Sequence, residues 1–108
     1  MFVIIDTIYG TRGGDEISRV VGPFFNEALA IHGALELAKN MILEIEGSEL
    51  SYMEGAQKEE HQKWVEKILS EVEWDANWGV VQFVYAEERG LTVHKLEKDE
   101  ELHYGTGE

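Results

Sequence analysis

The chain has no cysteine and a single proline among its 108 residues. Without cysteine it forms no disulfide, no thiolate nucleophile and no cysteine-ligated zinc site. Basic residues are also scarce: nine Lys and Arg stand against 22 Asp and Glu, which gives a formal net charge of −13 with the histidines neutral. This surplus argues against direct electrostatic binding to nucleic acid or to an anionic membrane.

Long apolar runs are lacking as well. The apolar residues 1–5 are followed at once by Asp6 and have no basic residue before them, which is not the pattern of a secretory signal. No run approaches the roughly 20 apolar residues of a membrane-spanning helix. We therefore expect a cytoplasmic protein.

Hydrophobic residues nevertheless make up 44% of the chain, which is typical of a globular protein with one core. No internal repeat or linker divides the sequence. We expect a single domain over 1–97. The residues that follow, 98–108, are charged and rich in glycine, and we expect them to form a flexible acidic tail.

Alternating apolar residues predict four strands, and helical spacing of apolar residues predicts two helices. The first helix begins at the N-cap Asn26 and ends at Gly47. The second runs to about Val72 and begins either near Ser51, which has capping-box spacing to Glu54, or after a loop over 48–56. The predicted strands cover residues 2–9, 16–21, 79–86 and 91–97. The order β-β-α-α-β-β predicts an α+β fold, with an antiparallel four-stranded sheet and two helices packed mainly on one face.

The strands at 2–9 and 79–86 carry apolar residues on both sides. A sheet with one solvated face alternates more cleanly. Either the second face contacts another chain or the helices divide between the two faces. The first option gives an alternative hypothesis, a small cytosolic homodimeric domain that associates through its open sheet face and has no inhibitor role.

Motifs of catalysis are not found. The glycine-rich residues 10–14 precede a strand and lack the phosphate-loop spacing, so a hairpin turn explains them. Asp6 lies in an apolar strand and needs a partner if it is buried, for which Arg19 or Arg12 is available. His32 and Glu36 are one helical turn apart. A second alternative is therefore a small metal- or ligand-binding domain that uses Asp6, His32 and Glu36, although we expect no metal, no cofactor and no enzymatic activity.

The acidic residues are unevenly distributed, because residues 41–75 contain 10 acids and only 3 bases. In the second helix, Glu–Lys pairs four positions apart neutralise part of this charge. Three clustered tryptophans add aromatic surface, and Trp74, between two acids, is the one we expect to be exposed as a hydrophobic anchor. The predicted partner-binding residues are Glu44, Glu46, Glu49, Glu73, Trp74, Asp75, Asp99, Glu100 and Glu101.

In its small size, its acidity and its lack of a catalytic motif, the chain resembles DNA-mimic proteins and the anti-restriction and anti-CRISPR inhibitors of phages and mobile elements. The resemblance is one of type, since no motif identifies a particular family. It implies a non-enzymatic interaction module that occupies the nucleic-acid-binding surface of a basic, nucleic-acid-handling protein, by shape and by charge.

Overall fold

A computed structural model describes residues 1–9 and 17–96. The described chain is α+β, as predicted, with two helices and a five-stranded antiparallel sheet. The elements are β1 (Phe2–Ile8), β2 (Ile17–Phe24), α1 (Glu27–Leu50), α2 (Gly55–Ser70), β3 (Glu73–Asp75), β4 (Val80–Gln82) and β5 (Arg89–Lys95). No helix in these ranges is both long and apolar enough to cross a membrane.

The strand order is β2-β1-β5-β4-β3, so the first and last strands lie side by side within the sheet. The prediction of four strands was wrong. Residues 73–75, before the turn at 76–79, form an additional short strand, β3, that we did not expect. Trp74 of β3 pairs with Val81 of β4. Strand β4 is much shorter than the strand predicted over 79–86, because residues 83–88 form a turn before β5 begins.

Strand β2 does not end at residue 21, as predicted, but continues through Gly22 and Pro23 to Phe24. The register between β1 and β2 shifts by one residue near this point, between Phe2 and Ile4. The strand is at the edge of the sheet, where a residue without an amide N–H is tolerated because its outer side pairs with no strand.

Helix α1 crosses one face of the sheet and supplies five of the twelve buried hydrophobic residues of the described chain, more than any other element. Asn26 caps it as predicted, since its Oδ1 accepts a hydrogen bond from the Leu29 amide at 2.9 Å. Small residues let the helix approach the strands closely, and the place of a Cβ at Gly33 lies 3.1 Å from the Phe24 ring. The helix does not end at Gly47 but runs through it to Leu50, since a glycine inside a helix costs only about 1 kcal/mol relative to alanine. Its fully buried neighbours in the strands are Ile4, Val81 and Leu91.

Helix α2 packs against α1 and contacts no described strand closely, so the expectation that both helices lie on the sheet was wrong. Residues 51–54 connect the helices, and Ser51 is the C-cap of α1 rather than the N-cap of α2. Val65 and Ile68 are the buried residues of α2. Because only a four-residue connection precedes it, α2 returns along α1 instead of reaching the sheet.

The two faces of the sheet differ in what covers them. Ile4, Asp6 and Leu91 lie on the face that α1 covers, since Asp6 pairs with Leu91 and Ile4 is two residues away on the same strand. Val3, which is buried, and Ile5, which is half-buried, point to the opposite face. No helix of the described chain packs there.

Candidate functional site

The predicted acids of α1 have different surroundings. Glu44 and Glu49 are exposed, whereas Glu46 is buried. Glu46 is four residues after Ile42 and eight after Ala38, both buried, so helical spacing places it on the inner side of α1. It therefore presents no charge to a partner.

Glu46 is instead the centre of a polar cluster between α1, α2 and the turn before β5. The Tyr85 hydroxyl donates a hydrogen bond to Glu46 Oε2. His61 Nε2 lies 2.8 Å from Glu46 Oε1. The His61 ring also contacts Trp64, with ring centroids 5.2 Å apart. The sequence did not indicate this cluster, because its members come from α1, α2 and the turn before β5, which meet only in the tertiary structure.

The electrostatics around Tyr85 show that acids from separate elements converge at this end of the molecule. Burial of the hydroxyl, its hydrogen bond to Glu46 and the negative charges of Glu46, Glu88 and Glu49 all raise the pKa of Tyr85. Glu49 belongs to α1 and Glu88 to the turn before β5. The negative potential at Tyr85 is thus a property of the tertiary structure.

The three tryptophans are not placed as expected. Trp74 is half-buried and packs against the core, so it is not the exposed anchor. The exposed tryptophans are instead Trp64, at 40%, and Trp78, at 80%. Trp74 turns inward because it pairs with Val81, which is fully buried on the α1 face. The sequence signal that we missed at Trp78 is its place between Asp75 and Gly79, which is a turn pattern.

The remaining predicted acids divide between β3 and the end of the chain. Glu73 is exposed and Asp75 is half-buried. The Asp75 carboxylate accepts hydrogen bonds from the backbone amides of Asn77 and Trp78, at 3.0 and 3.3 Å. The other three, Asp99, Glu100 and Glu101, lie outside the described residues, as does the whole of the expected tail 98–108.

The outer surface of α2 carries charges of both signs. Helical spacing places Glu59 and Glu66 on one side of this surface and Glu60 and Glu71 on the other. Two exposed lysines, Lys63 and Lys67, lie between the two pairs. None of the lysines of α2 forms an ion pair with a carboxylate of residues 1–9 or 17–96, so the predicted Glu–Lys contacts are not seen.

The second buried carboxylate, Asp6, has two arginine partners. Arg19 Nε donates to Asp6 Oδ2 at 3.0 Å, and Arg89 Nη2 donates to both carboxylate oxygens at 3.0 and 3.1 Å. Arg19 was one of the two predicted partners, and Arg12 lies outside the described residues. Arg89 was missed because the sequence does not show that β5 pairs with β1. Each partner comes from a strand next to β1, so this network ties three strands together.

The residues of the metal- or ligand-binding alternative do not converge. His32 Nε2 and Glu36 Oε1 are 3.7 Å apart on an exposed side of α1. Asp6 is buried on the sheet and paired with arginines. Within the described ranges, no three His, Cys, Asp or Glu side chains form a group that could hold a metal ion.

No protein-family model, curated protein or solved structure matches the chain. A functional proposal therefore depends on the residues themselves. The described structure offers exposed carboxylates on α1, α2 and β3, a hydrogen-bonded turn that exposes Trp78, and two buried carboxylates with partners inside the fold.

Proposed function

We propose that this protein is a non-enzymatic interaction module whose acidic flank occupies the nucleic-acid-binding surface of a basic protein. The acidic flank is the set of accessible carboxylates between residues 44 and 75. The observation that supports the proposal is the imbalance of charge there, since nine accessible carboxylates stand against three lysines. The flank consists of Glu44, Glu49, Glu54, Glu59, Glu60, Glu66, Glu71, Glu73 and Asp75.

The fold keeps these carboxylates on neighbouring elements. Helix α2 lies along α1, and only two residues separate α2 from β3. Duplex DNA carries one negative charge per about 1.7 Å of its axis, and proteins that bind it provide a complementary surface of Lys and Arg. A compact acidic body can occupy such a groove by Coulomb attraction and by its volume, and this excludes the nucleic acid.

A structural role for both buried carboxylates supports the absence of enzymatic activity in this proposal. Asp6 is held by Arg19 and Arg89, and Glu46 by His61 and Tyr85. General acid–base catalysis needs a group that can reach a substrate. These two acids instead direct their oxygens toward partners within the fold, where they stabilise the packing of strands and helices.

The experiment is capture of a binding protein from the native host, followed by a competition assay with that purified protein. We expect it to bind duplex DNA or RNA, to release the nucleic acid when this chain is added, and to bind this chain at least tenfold more weakly at 200 mM than at 50 mM salt. A ternary complex with the nucleic acid, or an affinity that does not change with salt, would contradict the proposal.

Two matched charge variants make this test specific. Glu60→Gln with Glu71→Gln removes one charge from α2 and one from its C-cap. Glu27→Gln with Glu36→Gln removes two from the first half of α1, where both glutamates are also exposed. The first pair should weaken binding and reduce its salt dependence. The second pair should have a smaller effect. Equal effects of the two pairs would show that net charge alone, and not the acidic flank, determines the affinity.

A second function is association with another copy of the chain. The observation that favours it is the sheet face bearing Val3 and Ile5, on which neither helix packs. Val20 pairs with Ile5 on this face and is exposed, and Ile5 is half-buried. Light scattering on the concentrated protein tests it. A homodimer that Val20→Lys dissociates, while Val84→Lys in the turn before β5 does not, would support this function. A monomer at all concentrations would exclude it.

A further inference from the structure

We propose that Trp78 binds an Arg or Lys side chain of the basic partner over its indole face, with the carboxylate of Asp75 as the counter-charge. This inference rests on the proposed function and names the contact that the acidic flank alone does not provide. It assigns to Trp78 the anchoring role that the sequence suggested for Trp74.

The first argument is exposure. Trp78 is 80% exposed, whereas Trp74 packs against the core and Trp64 contacts His61. A tryptophan carries the largest apolar surface of any side chain, and leaving one in water forgoes burial that would favour the fold. Tryptophan is also among the residues that contribute most to binding in protein interfaces.

The second argument is that the turn bearing Trp78 is held in place. The Asp75 side chain accepts from the amides of Asn77 and Trp78, and the Asp75 carbonyl accepts from the Gly79 amide at 2.8 Å. Gly79 has a φ of +65°, a conformation that favours glycine. A partner therefore meets an indole on an ordered backbone, which lowers the entropy cost of binding.

The third argument is charge, and it selects a cation as the occupant. The Asp75 carboxylate oxygen lies 3.3 Å from the Trp78 backbone nitrogen, and Glu73 is exposed on the same short strand. An apolar pocket closing over Trp78 would bury the negative charge of Asp75 at a cost. A guanidinium or ammonium group removes that cost and gains a cation–π contact, for which tryptophan is the best partner. Arg is preferred because its planar group also stacks.

The test measures binding of a hexa-arginine peptide at low salt. Trp78→Leu keeps an apolar side chain and removes the aromatic face, and we expect it to weaken binding by about threefold or more, with Trp78→Phe in between. Asp75→Asn keeps the oxygen that accepts from the two amides but removes the charge, and it should also weaken binding. Phe25→Leu is the matched control, because Phe25 is 82% exposed and directly follows β2, which lies at the opposite edge of the sheet from β3.

The outcomes separate this inference from the proposed function. If Trp78→Leu binds the peptide as the wild type does, or if the wild type does not bind it, the cation site at Trp78 is wrong. The acidic flank is tested independently by the glutamine pairs and the salt dependence with the captured protein. Circular dichroism and thermal unfolding of each variant verify that an altered affinity does not reflect loss of the fold.

Discussion

Glu46 and His61 are separated by fifteen positions in the chain, and their side chains meet with His61 Nε2 2.8 Å from Glu46 Oε1. The contact joins α1 to α2. Because Tyr85 donates to the other oxygen of the same carboxylate, it also joins the turn before β5. A single buried acid thus holds together three segments that are distant in sequence.

Replacing Glu46 should destabilise the protein more than replacing an exposed neighbour. Glu46→Ala leaves the Tyr85 hydroxyl and the His61 ring without their acceptor in a largely buried place. We expect a loss of about 2 kcal/mol in the free energy of unfolding, measured with urea. Glu46→Gln, which retains an acceptor oxygen, should lose less. The control is Glu44→Ala, which is exposed, and an equally small effect at both positions would contradict the structural role of Glu46.

The stability of the fold should decrease in alkali because of Tyr85. The pKa of Tyr85 is raised in the folded protein, first by burial and then by Glu46 and the nearby acids. In the unfolded chain a tyrosine loses its proton near pH 10. Below that pH, Tyr85 makes its full contribution to the free energy of unfolding. As the pH rises further, loss of the proton stabilises the unfolded chain but not the folded protein, so the free energy of unfolding decreases.

The measurement compares wild type and Tyr85→Phe by urea unfolding at pH 8 and at pH 11. The wild type should lose more stability between the two values than the variant, in which this ionisation is removed. Absorbance titration gives a second readout, since the raised pKa of Tyr85 should produce a late ionisation phase that Tyr85→Phe lacks. The same loss in both proteins would show that other groups cause the alkaline transition.

The two arginine partners of Asp6 should not contribute equally. The Arg89 side chain is largely buried and contacts both oxygens of Asp6, whereas most of the Arg19 side chain is exposed. We expect Arg19→Ala to cost at most about 1 kcal/mol, as exposed ion pairs do, and Arg89→Ala to cost clearly more. Thermal unfolding in the same buffer ranks them. His32→Ala, at an exposed ion pair, is the control, and the reverse order of the two arginines would refute this account.

Helix α2 should open more readily than the rest of the core. Among the helices and strands of residues 1–9 and 17–96, α2 contacts only α1, whereas α1 contacts α2 and all five strands. Segments with fewer buried contacts open at lower free energy, so backbone amides of α2 should exchange with solvent faster than those of α1 near Ala34 and Ala38. Hydrogen exchange followed by NMR measures both in one sample. Glu46→Ala should accelerate exchange in α2 more than in β1, and uniform acceleration would indicate global unfolding instead.

Local pattern predicted much of the fold. The α+β class, the first hairpin and the N-cap at Asn26 were predicted correctly, because neighbouring residues decide them. The need of Asp6 for an arginine partner was also visible, since an acid in an apolar strand has to be paired if it is buried. The ends of α1 and β2 were missed. Gly47 and Pro23 are usually terminators, but the helix and the edge strand tolerate them here.

The sequence by itself determined the acidity, the lack of thiol chemistry and the periodic apolar residues that make two helices and a sheet. Only the tertiary structure decided that α2 lies on α1, that Glu46 is buried while Glu44 is not, that Arg89 reaches Asp6, and that Trp78 rather than Trp74 is exposed. The physical reason is the sequence distance over which each interaction acts. Periodicity and capping act over a few residues, whereas burial and ion pairing depend on which distant segments meet.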